Sequence, residues 1–424
     1  MDRRLFVLAA AAGVLDPLSP LLGQAAEPIL TRRSGDPAFD AWLADFVARA
    51  AAAGWPQALL QRELDGLQPI ASVVTSDRGQ PEFVRPVGAY MASAVSQTRI
   101  DAGRGKLGEM ASWLTLIEAR FRVDRRILLG IWAMESNFGQ VLGDLDVVAA
   151  IATLAADGRR RTWAEGELFA ALRIIAMRSA ERTQMKGSWA GAMGQTQLEP
   201  SVFVSRGIDI DGDGRIDVWA SAPDALASAA NLLQQAGWRA GEDWAREVLL
   251  PAGFDFNLVE GPIQPLSAWT GKGVRRADGA AWTAEQAAMP CSLAAPAGAQ
   301  GPAFALFANH GVIKRYNNST SYALAVGLLA DAFGGGAPPA TAWPQESPLS
   351  LAQRTGAQTA LNALGFPAGE PDGVVGTRTR AALKAWQGSR GLVPDGHLTP
   401  ELADRLIAEG GAGPAVVQGS STTR

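Results

Sequence analysis

Apolar residues recur at helical spacing along most of the chain, and one such segment carries an acidic residue on its apolar face. Three apolar residues of segment 124–139 are spaced i, i+3 and i+4, as on the buried face of a helix: Leu128, Ile131 and Trp132. Glu135 follows at i+7, between a suitable N-cap, Asp124, and a suitable terminator, Gly139. Burial penalises the ionised form, so we expect a raised pKa for Glu135, as a general acid requires. A lone Glu at such a position more often pairs with an Arg or reaches solvent, and this segment alone leaves both interpretations open.

The same periodicity predicts a mainly helical body with a small strand-bearing part. Helices are predicted in segments 38–67, 87–119 (broken near Gly103–Gly105), 145–154, 163–182, 223–236 and 319–333. Residues 70–87 mix β-branched residues with turn formers, which predicts extended or irregular structure. Residues 252–302 are rich in Gly, Pro and Ala with patches of alternation, which predicts a small insertion that contains strands.

The N-terminal segment has the pattern of an export signal. Arg3 and Arg4 precede a short apolar run and then small residues near position 25, so residues 1–26 are predicted to be a cleaved signal peptide. The alternative is an apolar first helix of the fold. The paired arginines leave the general secretory and twin-arginine routes open. No other apolar run reaches membrane-spanning length, so we expect a periplasmic protein without a transmembrane anchor.

Composition also divides the rest of the chain. Segment 334–344 is rich in Gly, Ala and Pro, as in a linker that is flexible at its Gly end and stiffer at its Pro end. We therefore expect a catalytic body over 27–335, a linker over 336–348, a compact helical domain over 349–410 and a disordered tail over 411–424.

Charge and cysteine content exclude several function classes. A net charge of −4 and a pI near 5.5 argue against a nucleic-acid partner. One cysteine, Cys291, allows no intrachain disulfide, and two histidines make a zinc site or a His-based nucleophile improbable.

A Gly-rich segment, 186–201, offers donors and acceptors suited to a sugar. Ser188 and Gln197 lie among small residues that let a ligand approach the backbone, and Trp189 lies in the same loop. A tight packing loop between helices is an equally good interpretation of this composition.

An acidic segment begins like an EF-hand calcium loop. Carboxylates occupy its positions 1, 3 and 5: Asp209, Asp211 and Asp213. Gly214 follows at position 6, and the Arg215 carbonyl would be the position-7 ligand. Position 12 is Ala220 where an EF-hand has Glu, and Asp224 is the best replacement carboxylate. Calcium is favoured over an ion-free acidic turn, because close unpaired carboxylates repel each other.

Four segments in this order resemble the lytic murein transglycosylases of the MltB type: Ile131–Gly139, Gly187–Gln197, Asp209–Trp219 and Arg315–Val326. The resemblance covers about residues 35–333 and implies a lysozyme-like, mainly helical α+β catalytic domain with an EF-hand-type calcium loop. It implies that Glu135 is the single catalytic acid and base. It also places Ser188, Gln197, Tyr316 and Asn317 in the substrate cleft.

The same resemblance implies a metal site and a reaction. A structural Ca²⁺ would be held by residues of the acidic segment and its continuation: Asp209, Asp211, Asp213, Arg215 and Asp224. The expected reaction cleaves the β-1,4 bond between N-acetylmuramic acid and N-acetylglucosamine without water and leaves 1,6-anhydromuramic acid ends. A lysozyme-type muramidase and a catalytically silent wall-binding scaffold are the alternatives.

Residues 349–410 resemble the small three-helix peptidoglycan-binding domain. The matching residues include Gln358, Leu361, Phe366, Asp372–Gly373, Trp386–Gln387 and Asp395–Gly396. Its two Asp-Gly turns indicate a weak internal repeat. Peptidoglycan glycan strands are therefore the expected partner, with cell-wall synthesis proteins as further candidates; a generic helical interaction module is the alternative.

Overall fold

The computed structural model describes residues 29–79 and 85–411. One part of its helical body packs around a helix that is rich in small residues. The helices of this part are α1 (Pro37–Ala52), α2 (Gln57–Leu64), α3 (Ala71–Gly79), α8 (Val147–Asp157), α9 (Arg161–Ala176) and α10 (Pro200–Arg206). Helix α8 is buried from Val147 to Ala155, and its many alanines let the neighbouring helices approach closely. Asp146 caps α8 by accepting a 3.1 Å hydrogen bond from the Ala149 backbone N–H.

The second part of the body surrounds the helix that carries Glu135. Its helices are α4 (Val87–Ala94), α5 (Gln97–Glu109), α6 (Ala111–Phe121), α7 (Arg125–Ser136), α11 (Ala222–Gln235), α14 (Ala308–Tyr316) and α15 (Thr320–Phe333). Helix α7 begins as predicted, because Asp124 accepts a 2.8 Å hydrogen bond from the Arg126 N–H. It lies directly on α15: a Cβ at Gly130 would come within 2.7 Å of the Val326 carbonyl oxygen. The glycine therefore sets how closely the two helices pack.

Two local predictions were wrong. Residues 71–79 form helix α3, where extended or irregular structure was expected, because Val73 packs into the first core. Helix α5 runs without a break through Gly103 and Gly105. Gly103 faces the ring of Phe333, whose Cε1 would lie 2.1 Å from an added Cβ, so this glycine serves close packing between helices.

A five-stranded antiparallel sheet contains the strands predicted within 252–302 and extends beyond that segment at both ends. Its order is β4-β6-β7-β3-β5, made of β3 (Ala245–Leu249), β4 (Gln264–Pro265), β5 (Arg275–Arg276), β6 (Pro290–Ala294) and β7 (Ala303–Leu306). Two short helices, α12 (Leu266–Thr270) and α13 (Ala284–Ala288), lie between its strands. A separate pair joins β1 (Leu145–Asp146), which immediately precedes α8, to β2 (Lys186–Gly187), which begins the Gly-rich segment. Cys291 is buried in the sheet, and burial raises the pKa of its thiol to about 12.

The C-terminal unit contains α16 (Leu351–Ala363), α17 (Thr377–Ser389) and α18 (Pro400–Gly411) around its own core. The internal repeat appears in its hydrogen bonds. The Nε2 of Gln358 donates to Asp372 over 3.0 Å, and the Nε2 of Gln387 donates to Asp395 over 2.8 Å. In each half the same glutamine accepts a 2.8 Å hydrogen bond from the glycine after the aspartate.

The segment between the body and the C-terminal unit is held in place. The Glu247 carboxylate accepts hydrogen bonds from the backbone N–H groups of Ala340 and Thr341, at 2.6 and 2.8 Å. The Trp343 ring stacks on Phe304 with centroids 6.1 Å apart. These contacts fix a segment whose composition predicted partial flexibility.

The predicted signal peptide at 1–26 lies outside the described residues, as does the predicted tail beyond Gly411. Among the residues described, no helix has both the length and the apolar character to cross a bilayer.

Candidate active site

Glu135 lies on the last turn of α7 and is half-buried. The apolar stripe predicted beneath it is buried, with exposures of 0 to 2%: Leu128, Ile131 and Trp132. The Tyr322 hydroxyl, from α15, donates a 2.6 Å hydrogen bond to Glu135 Oε1. Burial first, and then the charge of Glu135, raise the pKa of Tyr322 well above its usual range. Tyr322 therefore stays protonated at neutral pH and acts as a donor to the carboxyl group.

The end of α7 is locked to the Gly-rich segment by the residue after Glu135. Ser136 donates from Oγ to the Gln195 carbonyl over 2.5 Å and accepts a 2.8 Å hydrogen bond from the Gly139 N–H. Asn137, Phe138 and Gly139 all have positive φ, between 49° and 82°, so the chain turns sharply away from the helix. A Cβ at Gly139 would lie 2.6 Å from Gln195 Oε1, which explains the glycine at this position.

The structure gives Ser188 and Gln197 clear roles within their own loop. Ser188 Oγ accepts a 3.1 Å hydrogen bond from the Ala192 N–H. Gln197 has a φ of 47°, and its Nε2 donates to the carbonyls of Leu142 and Gly194 at 3.0 and 2.9 Å. Gln197 thus ties the segment after α7 to the Gly-rich loop. Trp189 is partly buried against the first core of the body.

Tyr316 and Asn317 lie at the end of α14. The Tyr316 hydroxyl donates to the Thr196 carbonyl, next to Gln197 in the Gly-rich loop. Burial raises the pKa of Tyr316 well above its usual range, and the charge of Glu135 acts in the same direction. Tyr316 is therefore within the electrostatic reach of Glu135, and Asn317 follows it directly as the C-cap residue of α14.

Sequence reasoning missed Tyr322 as a partner of Glu135. The two residues are separated by 187 positions, and Tyr322 fits the apolar period of α15 as a core residue. The only sequence feature that could have pointed to Tyr322 is the scarcity of tyrosine, since the chain has three. All three interact electrostatically at this site, because the pKa of Tyr322 is also raised by Tyr316 and Tyr90.

The acidic segment brings together three of the predicted metal ligands. Carboxylate oxygens of Asp209, Asp211 and Asp213 all lie within 4.8 Å of one another. The Gly212 and Gly214 N–H groups donate to Asp209, at 2.6 and 2.9 Å, and shape the turn. This set of hard oxygen donors fits a calcium ion.

Asp224 has different contacts from those expected of a ligand. It is 1% exposed, and its two oxygens accept 2.9 Å hydrogen bonds from the backbone N–H groups of Ile210 and Asp217. Burial raises the pKa of Asp224 overall, although the two backbone hydrogen bonds act in the opposite direction. In this structure Asp224 fastens both ends of the acidic loop to α11.

Two separate parts of the chain match known families. Residues 38–331 match the transglycosylase SLT domain family, and residues 351–406 match the putative peptidoglycan-binding domain family. The first match alone spans more than half of the chain. The chain belongs to the SLT transglycosylase family.

Solved structures of SLT transglycosylases share this fold. SltB3 from Pseudomonas aeruginosa, in complex with NAG-anhNAM-pentapeptide, is 43% identical, with a TM-score of 0.83 over 88% of this chain and 100% of that chain. Slt35 from Escherichia coli, in complex with calcium, has a TM-score of 0.63 over 73% of this chain and 97% of that chain. Because the two sequences are only 24% identical, this likeness shows the fold alone.

A curated relative is similar over a shorter stretch. Membrane-bound lytic murein transglycosylase B of Escherichia coli (strain K12) is 30% identical over 226 residues, or 50% of this chain. In that match this chain spans 57% of the relative's length.

Proposed function

We propose that this SLT transglycosylase cleaves the β-1,4 bond between N-acetylmuramic acid and N-acetylglucosamine in peptidoglycan without consuming water. The observation that carries the proposal is the Glu135–Tyr322 hydrogen bond at the end of α7, in a chain that belongs to a transglycosylase family. The 43% identity to SltB3, which binds a muramyl peptide, supports the same substrate class.

In the proposed reaction one carboxyl group serves first as acid and then as base. Glu135 protonates the glycosidic oxygen, and the bond from that oxygen to C1 of the muramyl ring breaks. The 2-acetamido group stabilises the positive charge that develops at C1. Glu135, now ionised, then accepts the proton of the C6 hydroxyl while O6 bonds to C1 and closes the 1,6-anhydro ring. Atoms and charge balance without water, and Glu135 ends in its acid form.

Tyr322 would orient the acid. Because its hydroxyl donates to Oε1, that oxygen acts as an acceptor, and the transferable proton belongs on Oε2. The half-buried setting over an apolar stripe is consistent with the raised pKa proposed for Glu135, which stays a prediction.

The cleft roles proposed for Ser188, Gln197, Tyr316 and Asn317 are supported to different degrees. Ser188 Oγ accepts a hydrogen bond from the Ala192 N–H, so its own hydroxyl proton is available to donate to a sugar oxygen. Gln197 and Tyr316 use their donors within the protein, so only their remaining acceptor oxygens are available for a sugar hydroxyl. Asn317 would offer its side-chain amide.

Calcium is proposed as a structural ion. Asp209, Asp211 and Asp213 would hold it together with the Arg215 carbonyl, while Asp224 would act indirectly through the backbone of the loop. The ion would neutralise close carboxylates and stiffen the loop, and it would take no part in the reaction.

The C-terminal unit would bind the cell wall, as its family match supports. Export to the periplasm through the proposed signal peptide at 1–26 would bring the enzyme to this polymer.

Product analysis tests the proposal. Purified murein digested with the enzyme should yield 1,6-anhydromuramyl ends by mass spectrometry, and Glu135→Gln should lower the rate by at least about a thousandfold, since it removes the only proposed proton carrier. Glu109→Gln, on an exposed surface, is the matched control. Hydrated reducing ends would identify a lysozyme-type muramidase instead. Wall binding with no cleavage by the wild type would identify a scaffold.

A further inference from the structure

A wide groove runs along the β1–β2 pair, next to the Gly-rich segment. Its larger part has a volume of about 1230 Å³, and a smaller adjoining part has about 350 Å³. The two parts share five lining residues: Ala180, Thr183, Gln184, Lys186 and Arg215. They therefore form one continuous surface.

The groove carries an excess of unpaired positive charge in a chain whose net charge is −4. Two of its basic residues are neutralised, because Arg62 pairs with Glu63 at 2.6 Å and Arg182 pairs with Asp146 at 2.7 Å. The other three basic residues are exposed and form no ion pair with any residue that the structure describes: Arg178, Lys186 and Arg215.

Two acidic residues of the groove, Glu181 and Asp217, also have no basic partner within the described part of the chain. Three unpaired cations therefore face two unpaired carboxylates, an excess of one positive charge. The local charge favours an anionic ligand.

The groove adjoins the proposed cleft through the backbone. Lys186 is two residues from Ser188, so their Cα atoms are at most about 7 Å apart. Leu142 and Gly143 line the smaller part, and Leu142 accepts the hydrogen bond from Gln197. A Cβ at Gly143 would lie 2.2 Å from the Gly187 oxygen, so this wall packs directly on β2.

We propose that this groove binds the free carboxylates of the peptide attached to the muramyl residue, through Arg178, Lys186 and Arg215. The inference rests on the proposed function for the sugar substrate. A peptide attached to a glycan in the cleft must leave it along a neighbouring surface, and a peptide that ends in a carboxylate matches the charge of this one. The groove would make the enzyme prefer peptide-bearing glycan to stripped glycan.

Calorimetric titration tests this inference without relying on turnover. The ligands are N-acetylglucosaminyl-1,6-anhydro-N-acetylmuramic acid with a pentapeptide and the same disaccharide without it. The wild type should bind the peptide-bearing form more tightly, and the preference should shrink at high salt. Arg178→Gln/Lys186→Gln should weaken binding of that form about tenfold, a few-fold for each exposed charge, and leave the bare disaccharide unaffected.

The matched control is Lys272→Gln, which removes an exposed lysine between α12 and β5 that does not line the groove, and this variant should bind both ligands like the wild type. Equal weakening of both ligands in the double variant, or no preference in the wild type, overturns the inference. If the wild type cleaves no murein but the titration shows the preference and its loss, the proposed function fails while the anion-binding groove stands.

Discussion

At the scale of single residues, the site depends on a contact that the local sequence does not encode. Glu135 could be selected from helical spacing, because its position on an apolar stripe is a property of one segment. Tyr322 could not be selected in the same way, because its role depends on α15 lying against α7. The hydrogen bond between them is therefore the first place to test the mechanism.

Replacing Tyr322 with Phe keeps the buried ring and removes the donated hydrogen bond. We expect kcat to fall about tenfold with little change in KM, since a hydrogen bond to a charged group contributes about 1.5–3 kcal/mol. The alkaline limb of the kcat/KM profile should move to higher pH by about one unit, because the ionised carboxylate loses a stabilising donor.

Steady-state kinetics from pH 4 to 9 (roughly the range in which a perturbed carboxyl titrates) would measure this change. Tyr316→Phe is the comparison, because its hydroxyl donates to the Thr196 carbonyl and its loss should leave the alkaline limb in place. An unchanged limb in Tyr322→Phe would show that Tyr322 has only a packing role.

At the scale of elements, the acidic loop joins α10 to α11 and is fastened by Asp224. Its spacing predicted the convergence of Asp209, Asp211 and Asp213, since alternating ligands on a turning backbone are a local pattern. The contacts of Asp224 were harder to foresee, because they depend on how α11 packs behind the loop. A cation at this loop would hold the helix junction together.

Removing calcium should lower the melting temperature. At free calcium about 100-fold above Kd, the stabilisation would be about 2.7 kcal/mol, which corresponds to a shift of a few degrees. Differential scanning calorimetry with and without chelator measures the shift. Asp211→Asn/Asp213→Asn should abolish the calcium response, and the exposed variant Asp45→Asn should retain it. A response to magnesium equal to that for calcium would argue against an EF-hand-type site.

The limits of prediction from the sequence are clearest for elements with weak periodicity. Helices α7, α11 and α15 were located because each has a continuous buried face. Helix α3 was missed because β-branched residues at 73–75 favour strands locally, and burial of Val73 overrides that preference. The sheet order could not be read from the chain, because β3 pairs with β5 and β7 across long connections.

At the scale of the whole molecule, the C-terminal unit is docked on the inserted sheet. Arg380 pairs with Glu260 at 2.9 Å, and Lys384 donates a 2.7 Å hydrogen bond to the Phe256 carbonyl. Asp395, in the second Asp-Gly turn, accepts a 2.9 Å hydrogen bond from the Ala299 N–H. The first turn, at Asp372, has no such contact with a described residue of the body, so the two halves of the repeat are used differently.

Replacing Glu247 with Ala tests the fixed linker. The change removes the acceptor for two backbone N–H groups, at a local cost of about 1–3 kcal/mol. We expect faster proteolytic cleavage within 336–348, because local opening exposes the backbone to the protease. Limited proteolysis with mass mapping measures the rate, and Glu285→Ala on exposed α13 is the control. Equal cleavage rates in both variants would contradict a clamping role for Glu247.

The stacking of Trp343 on Phe304 has a practical consequence for exchanging wall-binding modules between enzymes. A chimaera joined at the compositional boundary near residue 335 would remove Trp343 and leave the Phe304 face exposed to water, which promotes aggregation. A transplanted module should therefore be joined after Glu346, so that the catalytic body keeps Trp343, which covers Phe304 of its sheet.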